Sequence, residues 1–388
     1  MINIQNKAEC VGCEACVQRC PQKCIVLQED EEGFMYPHVE IETCINCGLC
    51  EKVCPVIHQG SARIPINSYA IINKNEAIRN SSSSGGVFTA LAEFVLNRNG
   101  VVFGASFDES WSVAHTYVEE KSLLCRLRGA KYVQSSIGST YIEVENFLKG
   151  GRYVLFSGLP CQVAGLKLFL RKEYENLITV DMFCHGVPSP GIWRKYLNEK
   201  IGCMGKKIER MSFRDKSTGW QTYSFSYTTK EKGIKQNFSE LASRNYFMKG
   251  FLADLYLRPS CYSCPAKQLK SGSDLTIGDF WGIQHINAEL DDNKGISAVL
   301  VNSDKGNHLL DTITGLMCER VSYDQITCFN PALIHSAKLS NKRRAFFLLV
   351  SSIGVVGAVK RSTKVSFVTK LKRKLIRYLG SLNCKILV

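Results

Sequence analysis

The 388-residue sequence lacks the two most common nucleotide-binding fingerprints. It contains no Gly-x-Gly-x-x-Gly and no Gly-Lys-Ser/Thr motif, so neither a standard dinucleotide-binding turn nor a P-loop is predicted. The start, MINIQNKAEC, has no apolar core and no small-residue cleavage site, which predicts a cytoplasmic protein. The apolar run 345–359 falls short of the roughly 20 residues that a bilayer span needs, and we expect it to form a buried helix.

Acidic side chains are missing from the C-terminal end of the chain. The total charge is +14, residues 1–60 contain four basic and nine acidic side chains, and residues 338–388 contain thirteen basic and no acidic ones. Apolar residues at helical spacing predict a basic helical tail over 338–388. Such a tail suits peripheral contact with the inner face of a membrane, an acidic partner, or the chain's own acidic head. No recognised nucleic-acid module accompanies it, and nucleic acid is not an expected partner.

The remaining composition is that of an ordinary globular protein, apart from its cysteines. Hydrophobic residues make up 45%, charged residues 22% and aromatic residues 10%, which excludes a mainly disordered, collagen-like or coiled-coil protein. Eighteen residues are cysteine. Because the cytoplasm keeps thiols reduced, we expect metal ligands rather than a disulfide framework.

The first sixty residues contain a cysteine repeat. The run Cys10-x2-Cys13-x2-Cys16-x3-Cys20-Pro21 recurs as Cys44-x2-Cys47-x2-Cys50-x3-Cys54-Pro55. This is the spacing of bacterial ferredoxins, in which the fourth cysteine of each run binds the other cluster. It predicts an α+β ferredoxin-like module over residues 1–62 with two [4Fe–4S] clusters, the alternative being zinc. One cluster takes Cys10, Cys13, Cys16 and Cys54, and the other takes Cys44, Cys47, Cys50 and Cys20.

The segment between the two runs predicts a β-hairpin. Strand-forming residues start at Ile25 and end at Ile41, with Gly33 in the predicted turn. Cys24 follows the first run directly, and we interpret it as a small buried side chain packed beside a cluster.

From about residue 66 to 335 the pattern predicts an α/β domain with a partly parallel sheet. The stretch 81–86, Ser-Ser-Ser-Ser-Gly-Gly, precedes a predicted helix at 87–96 and a strand at 101–107. A small-residue loop opening a helix suits a phosphate; the alternative is a linker with an N-cap serine. Predicted strands at 153–157 and 177–183 alternate with helices at 162–172 and 191–200, so the two strands should run parallel.

Four more cysteines have the chemistry of a third metal site. Cys161 and Cys184 each follow a predicted parallel strand, at the sheet edge where such folds bind ligands. Pro160 suits the first helical position, so the helix dipole favours the Cys161 thiolate. Together with the pair Cys261 and Cys264 they provide four thiolates, enough for a third [4Fe–4S] cluster. Structural zinc or four buried thiols are the alternatives.

Several motifs in fixed order resemble the coenzyme F420 hydrogenase/dehydrogenase β-subunit family. They are Gly-Ala-Lys-Tyr-Val-Gln-Ser at 129–135, Ser-Gly-Leu-Pro-Cys-Gln at 157–162, Cys-His-Gly-Val-Pro-Ser-Pro at 184–190, and residues 274–282. The resemblance implies a flavin, typically FAD, beside an iron–sulfur cluster held by the four cysteines of the larger domain. It also implies flavin contacts from Ser83, Ser84, Gly85, Gly86 and Lys131.

The resemblance implies an iron–sulfur flavoprotein oxidoreductase. Electrons would pass between a redox partner protein or another oxidoreductase subunit and a small two-electron carrier, of the F420 type or another. The alternatives are an electron-delivery subunit without its own substrate site, and a membrane-docked accessory protein in polysaccharide biosynthesis. His185 is a candidate for proton handling or a hydrogen-bonded neighbour of the metal site. Asp279 and Trp281 are equally open, since Trp281 either stacks on a flavin or packs.

Overall fold

The structure, a computed structural model, describes residues 1–202, 207–231 and 233–364. Cys203 and Cys384, which have no partners at ligand spacing and are predicted to be packing residues, lie outside the described residues. The predicted tail helix beyond residue 364 lies outside them as well. The strands, in chain order, are β1 (Ile25–Glu29), β2 (Met35–Val39), β3 (Asn67–Asn73), β4 (Val101–Phe107), β5 (Val113–Val118), β6 (Val154–Gly158), β7 (Leu177–Met182), β8 (Lys207–Asp215), β9 (Ser224–Glu231), β10 (Ile234–Leu241), β11 (Leu275–Asp279), β12 (Ser297–Val301) and β13 (Leu316–Arg320).

The helices alternate with these strands along the chain. They are α1 (Ala15–Arg19), α2 (Leu49–Lys52), α3 (Glu76–Ser81), α4 (Val87–Leu96), α5 (Thr140–Lys149), α6 (Pro160–Leu170), α7 (Pro190–Lys200), α8 (Tyr246–Leu252), α9 (Asp304–Thr312), α10 (Tyr323–Phe329) and α11 (Arg343–Ser362). The predicted helix at 162–172 begins two residues earlier, with Pro160 in the first turn, and ends where Arg171 adopts a left-handed conformation.

The N-terminal module is a hairpin with two short helices. Strands β1 and β2 pair antiparallel, with Ile25 opposite Val39. Gly33 lies in the turn at φ 84°, a conformation that favours glycine. The hairpin predicted from the alternating residues is confirmed.

The larger domain is built on a mixed sheet of order β13-β3-β12-β11-β7-β6-β4-β5. Strands β11, β7, β6 and β4 run parallel, and the outer strands on both sides pair antiparallel. The parallel pairing of β6 and β7 follows from the helix α6 between them. The predicted partly parallel sheet is therefore confirmed.

A second sheet, of order β10-β9-β8, packs beside α7 and α8. Its core contains the fully buried aromatic side chains Trp193, Phe213 and Phe247. The centroids of the Trp193 and Phe247 rings are 4.8 Å apart at an interplanar angle of 65°, an edge-to-face arrangement that aromatic pairs favour.

Helix α11 covers part of this core with one face. Phe346, Val350 and Val355 are buried, while Leu348 is 72% exposed. Gly354 has non-helical dihedral angles, and the carboxylate of Glu199 accepts hydrogen bonds there from the N–H groups of Val355 and Val356. By length and composition alone, α11 is the one helix in the described part of the chain that could cross a membrane. About a third of its most apolar stretch (33%) is buried in the protein.

Buried hydrogen bonds attach the N-terminal module to the larger domain. Both carboxylate oxygens of Glu14 accept from the backbone N–H groups of Ile137 (3.1 Å) and Gly138 (2.8 Å). The N–H of Gly191 donates to the carbonyl of Gly33 at 3.2 Å. A Cβ atom on Gly33 would lie 2.4 Å from the Cα of Gly191, so this contact requires glycine.

Candidate functional site

Four cysteines from both repeats line one cavity, which we call the inner tetrad: Cys10, Cys13, Cys16 and Cys54. Cys10 and Cys13 come from the loop that leads into α1, Cys16 comes from α1 itself, and Cys54 comes from beyond α2. The remaining wall is largely apolar, with Ile2, Val11 and Leu27 among its side chains. The crossed arrangement expected from the ferredoxin spacing thus brings these four side chains around one space.

The other four repeat cysteines line a second cavity, the outer tetrad: Cys20, Cys44, Cys47 and Cys50. Cys47 is exposed, whereas Cys50 is buried. The backbone N–H of Ile2 points at the sulfur of Cys50, with 3.2 Å between nitrogen and Sγ. Such N–H···S contacts stabilise ligating thiolates.

Cys24 borders the outer tetrad as a fifth sulfur. It is 2% exposed and its Sγ lies 3.4 Å from that of Cys20. Although burial opposes ionisation, hydrogen bonds from Cys24 and from the adjacent backbone lower the pKa of Cys20. The position of Cys24 is that of a packing residue that supports a ligand.

The third tetrad lies at the carboxyl edge of the parallel strands and consists of Cys161, Cys184, Cys261 and Cys264. Cys161 is in the first turn of α6, and Cys184 follows β7 by two residues. Cys261 lies in the short 3-10 helix Pro259–Ser263, where its sulfur faces the N–H of Val187 at 3.4 Å. The structure therefore gathers four residues that span more than one hundred positions of sequence.

Burial makes these thiols hard to ionise without a bound cation. Desolvation, reinforced by neighbouring cysteines, raises the pKa of Cys13 and Cys161 well above the ordinary range. Burial likewise raises the pKa of Cys16 to about 12 and of Cys184 to about 11, the latter opposed by Lys267. A metal centre offsets this cost because it binds the deprotonated sulfurs.

Each tetrad surrounds a cavity rather than a point. Four thiols around one space match the number of ligands that a [4Fe–4S] cluster takes, and structural zinc takes the same number.

The inner and third tetrads adjoin one another. Val11 lines both cavities. A Cβ atom on Gly165, in α6, would lie only 3.1 Å from the Sγ of Cys13. The helix whose first turn carries Cys161 therefore passes directly against the inner tetrad, and this approach depends on a glycine.

His185 lines the third cavity and is held by a carboxylate. Its Nε2 lies 2.6 Å from Oδ1 of Asp254. This contact fixes the ring beside Cys184, and a proton-handling role for His185 stays a prediction. Asp181 lines the same cavity, and burial raises its pKa to about 6.

The serine–glycine loop contacts the backbone next to Lys131 and the residues around Ser297. Ser83 Oγ accepts from the N–H of Ala130 at 2.8 Å, and Ser84 Oγ donates to the carbonyl of Ile296 at 2.7 Å. The N–H of Gly85 donates to Ser297 Oγ at 3.0 Å. The alternative of an N-cap serine is wrong, because Gly86, left-handed at φ 88°, caps α4.

The Lys131 ammonium turns back on its own loop. It donates to the carbonyls of Leu127 (3.3 Å), Arg128 (3.3 Å) and Gly129 (3.1 Å). Burial lowers the pKa of Lys131 to about 7.

Two cations beside the loop were missed by the sequence analysis. Lys216 Nζ donates to the carbonyl of Ser84 at 3.1 Å. Arg214 donates to the carbonyl of Ser83 at 3.4 Å and forms a buried ion pair with Asp279 at 2.6 Å. Neither belongs to a motif, because both reach the loop from β8 and the turn after it. Asp279 also accepts from Trp220 Nε1 at 2.8 Å.

Trp281 stacks on Trp220 rather than standing free. The two ring centroids are 5.0 Å apart and the rings are within 5° of parallel. Arg214 lies 5.3 Å from the Trp281 centroid. The packing interpretation of Trp281 accounts for these contacts.

Two protein families match separate parts of this chain. Residues 151–321 match the family described as coenzyme F420 hydrogenase/dehydrogenase, the C terminus of the beta subunit. Residues 9–57 match the 4Fe-4S dicluster domain. The resemblance drawn from the motifs is confirmed.

Among curated relatives, the F subunit of F(420)H(2) dehydrogenase of Methanosarcina mazei is 21% identical over 180 residues, covering 44% of this chain and 51% of that protein. The VorC subunit of ketoisovalerate oxidoreductase of Methanothermobacter marburgensis is 36% identical over 55 residues, covering 14% of this chain and 70% of the relative. This chain thus spans about half the length of the F(420)H(2) dehydrogenase protein. A chain of the F420-reducing [NiFe] hydrogenase complex from Methanosarcina barkeri superposes with TM-score 0.47 and 15% identity, covering 69% of this chain and 89% of that one.

Proposed function

This chain belongs to the coenzyme F420 hydrogenase/dehydrogenase β-subunit family and carries a 4Fe–4S dicluster domain, and from this premise we propose that it is an iron–sulfur flavoprotein subunit. Its role is to connect a partner oxidoreductase subunit with a small two-electron carrier of the F420 type. The observation that carries the proposal is the series of three cysteine-lined cavities. The series begins at exposed Cys47 and ends at the carboxyl edge of the sheet.

The residues present fit the cofactors that this role needs. The inner and outer tetrads hold one [4Fe–4S] cluster each, and the third tetrad holds another. For the phosphates of FAD we propose the loop Ser83–Gly86 at the start of α4, with the neighbouring cations Arg214 and Lys216. The Ser84 hydroxyl, the Gly85 N–H and the Lys131 ammonium would exchange their present protein partners for the phosphate. When bound, the clusters supply one-electron transfer and the flavin supplies its coupling to a two-electron reaction.

The protein's own groups set the conditions for that chemistry. Cys47 brings the outer tetrad to solvent, whereas the inner cavity has largely apolar walls. Lys267 donates to the carbonyl of Cys184 at 2.5 Å and to that of Ala332 at 2.6 Å, placing a positive charge beside the third tetrad. A positive charge there stabilises the more reduced state of a bound cluster.

Cofactor content tests the proposal directly. After anaerobic purification of the full chain we expect about twelve irons, four for each cubane, and one flavin. Iron without flavin would assign the chain to electron delivery for a partner enzyme. Zinc in place of iron would contradict the proposal as a whole. Reduction of F420 by the chain with a reduced viologen as donor then tests the carrier.

The outer tetrad is bordered by a surface suited to a basic partner. The segment 40–47 exposes Glu40 and Glu42 beside Ile41, 69% exposed, and Ile45, 60% exposed. Apolar side chains ringed by charge are typical of protein docking sites. We therefore place the partner subunit on this segment, with a basic rim and an apolar centre.

Reversing the charge of this surface should slow electron transfer to a basic protein. With reduced chain and ferricytochrome c as a basic probe, we expect Glu40→Lys with Glu42→Lys to lower the bimolecular rate constant about tenfold at low salt, because electrostatic steering is lost. The difference should disappear at high salt. The matched control is Asp311→Lys with Glu319→Lys, exposed on α9 and β13, which changes total charge equally. Equal slowing by both pairs would contradict a docking site at 40–47.

A further inference from the structure

Arg258 is a fully buried cation between the inner and third tetrads. Its side chain is 1% exposed. Its carbonyl accepts from the N–H of Cys261 at 2.9 Å, and its own N–H donates to the carbonyl of Val187 at 3.0 Å. The backbone of Arg258 therefore belongs to the turn that presents Cys261.

The guanidinium of Arg258 reaches the other way, onto the inner tetrad. Nε donates to the carbonyl of Cys10 at 2.7 Å, and Nη2 lies 3.4 Å from the sulfur of Cys10. The remaining donors contact the carbonyl of Met35 at 2.9 Å and Oε1 of Gln134 at 3.0 Å. The Tyr36 ring lies 4.3 Å from the guanidinium carbon. A single side chain thus donates to a predicted ligand and fixes the loop that carries it.

Gly12 leaves the space that this contact needs. A Cβ atom there would lie 2.8 Å from Cζ and Nη1 of Arg258. The guanidinium therefore rests on the backbone of the cysteine loop, between Cys10 and Cys13.

Among the described residues, Arg258 differs from two other buried arginines in that it has no ion pair with a carboxylate. Arg79 pairs with Asp292 and Arg214 pairs with Asp279, both at 2.6 Å. Within the described residues, no carboxylate forms an ion pair with Arg258. Burying a charge without a direct ion-pair partner is costly. The buried carboxylate of Glu14 interacts with Arg258 electrostatically without forming an ion pair, and the sulfur of Cys10 contacts the guanidinium directly.

We infer that Arg258 is the counterion of the cluster held by the inner tetrad and raises its reduction potential. This rests on the proposed function, which puts a [4Fe–4S] cluster there. A cluster with four thiolate ligands becomes more negative on reduction, so a fixed cation beside Cys10 stabilises the reduced form more than the oxidised form. Arg258 thus acts on the cluster of the inner tetrad through its charge and through its contact with the sulfur of Cys10.

Redox titration of the full chain, followed by EPR, tests this role. In Arg258→Gln we expect the equilibrium constant for reducing the inner cluster to fall about tenfold, which is about 59 mV for one electron. The other two potentials should stay unchanged. Cys47→Ser and Cys161→Ser, which each remove one of the other clusters, assign the signals. Arg194→Met, which breaks an exposed ion pair with Glu29, is the control and should shift nothing.

Iron content separates the outcomes. Unchanged potentials in an Arg258→Gln protein with full iron would overturn the role of Arg258 alone, whereas an unsubstituted chain without EPR signals would overturn the proposed function with it. If Arg258→Gln loses the inner cluster, Arg258→Lys decides. If Arg258→Lys retains the inner cluster, with a potential between those of the unsubstituted chain and a chain without this charge, the role as counterion is supported, because Lys keeps the positive charge. Loss in both variants contradicts it and indicates a packing role.

Discussion

Replacement of Cys161 by serine is expected to lower the iron content from about twelve to about eight atoms per chain, because one cubane of four irons loses a ligand. Cys161 lies in the third tetrad with Cys184, Cys261 and Cys264, and the eight predicted ligand cysteines of the N-terminal module are untouched by the change. EPR signals of the two N-terminal clusters should persist. Iron analysis and EPR of anaerobically purified protein provide the measurement.

The matched control is Cys125→Ser. Cys125 is exposed in the 3-10 helix Lys121–Arg126, outside all three tetrads, and its replacement should leave about twelve irons. Cys161→Ser with undiminished iron would remove the third cluster from the scheme. One zinc per unsubstituted chain, beside eight irons, would instead assign the third tetrad to structural zinc.

Replacement of Arg214 by methionine should destabilise the larger domain by about 3–5 kcal/mol, since it leaves a buried carboxylate without its partner. The side chains of Arg214 and Asp279 are 3% and 15% exposed. Trp220 donates to the same carboxylate and stacks on Trp281. Urea unfolding followed by tryptophan fluorescence measures the loss, as a lower midpoint at unchanged slope.

A double variant and a control variant test whether the loss in Arg214→Met comes from the buried unpaired charge. Adding Asp279→Asn to Arg214→Met removes both charges and should recover most of the stability, because a neutral pair carries no unpaired charge. Arg194→Met breaks an ion pair whose side chains are 45% and 43% exposed and should cost less than about 1 kcal/mol. Equal losses for Arg214→Met and Arg194→Met would contradict the importance of the buried pair.

Spacing along the chain was enough to predict the cysteine arrangement. In each run the first two cysteines lie before a short helix, the third lies in it and the fourth follows it, a local pattern with few geometric solutions. Two members of the third tetrad followed from a topological rule: Cys161 and Cys184 lie just beyond the parallel strands β6 and β7, which are neighbours in the sheet. Short-range pattern and strand order therefore brought the predicted ligands together.

The charges around these sites could not be read from the sequence. Arg258 is separated from Cys10 by 248 positions, and Arg214 from Ser83 by 131, without any periodicity to connect them. An arginine in a strand or turn is more often solvated than buried, so the sequence predicted neither contact. The cap of α4 was also not predictable from the serines. Gly86, in a left-handed conformation, is the N-cap residue, and no serine hydroxyl caps the helix.

The attachment of Glu14 to the N–H groups of Ile137 and Gly138, and of Gly33 to Gly191, has a kinetic consequence. A redox domain that moves on a flexible linker must dock before it transfers an electron, and this docking becomes slower as the viscosity of the solution rises. Here buried contacts fix the module that carries the inner tetrad to the domain that carries the third tetrad. Electron transfer between the two proposed clusters therefore needs no docking step. Internal electron transfer should therefore proceed at the same rate in buffer and in concentrated sucrose.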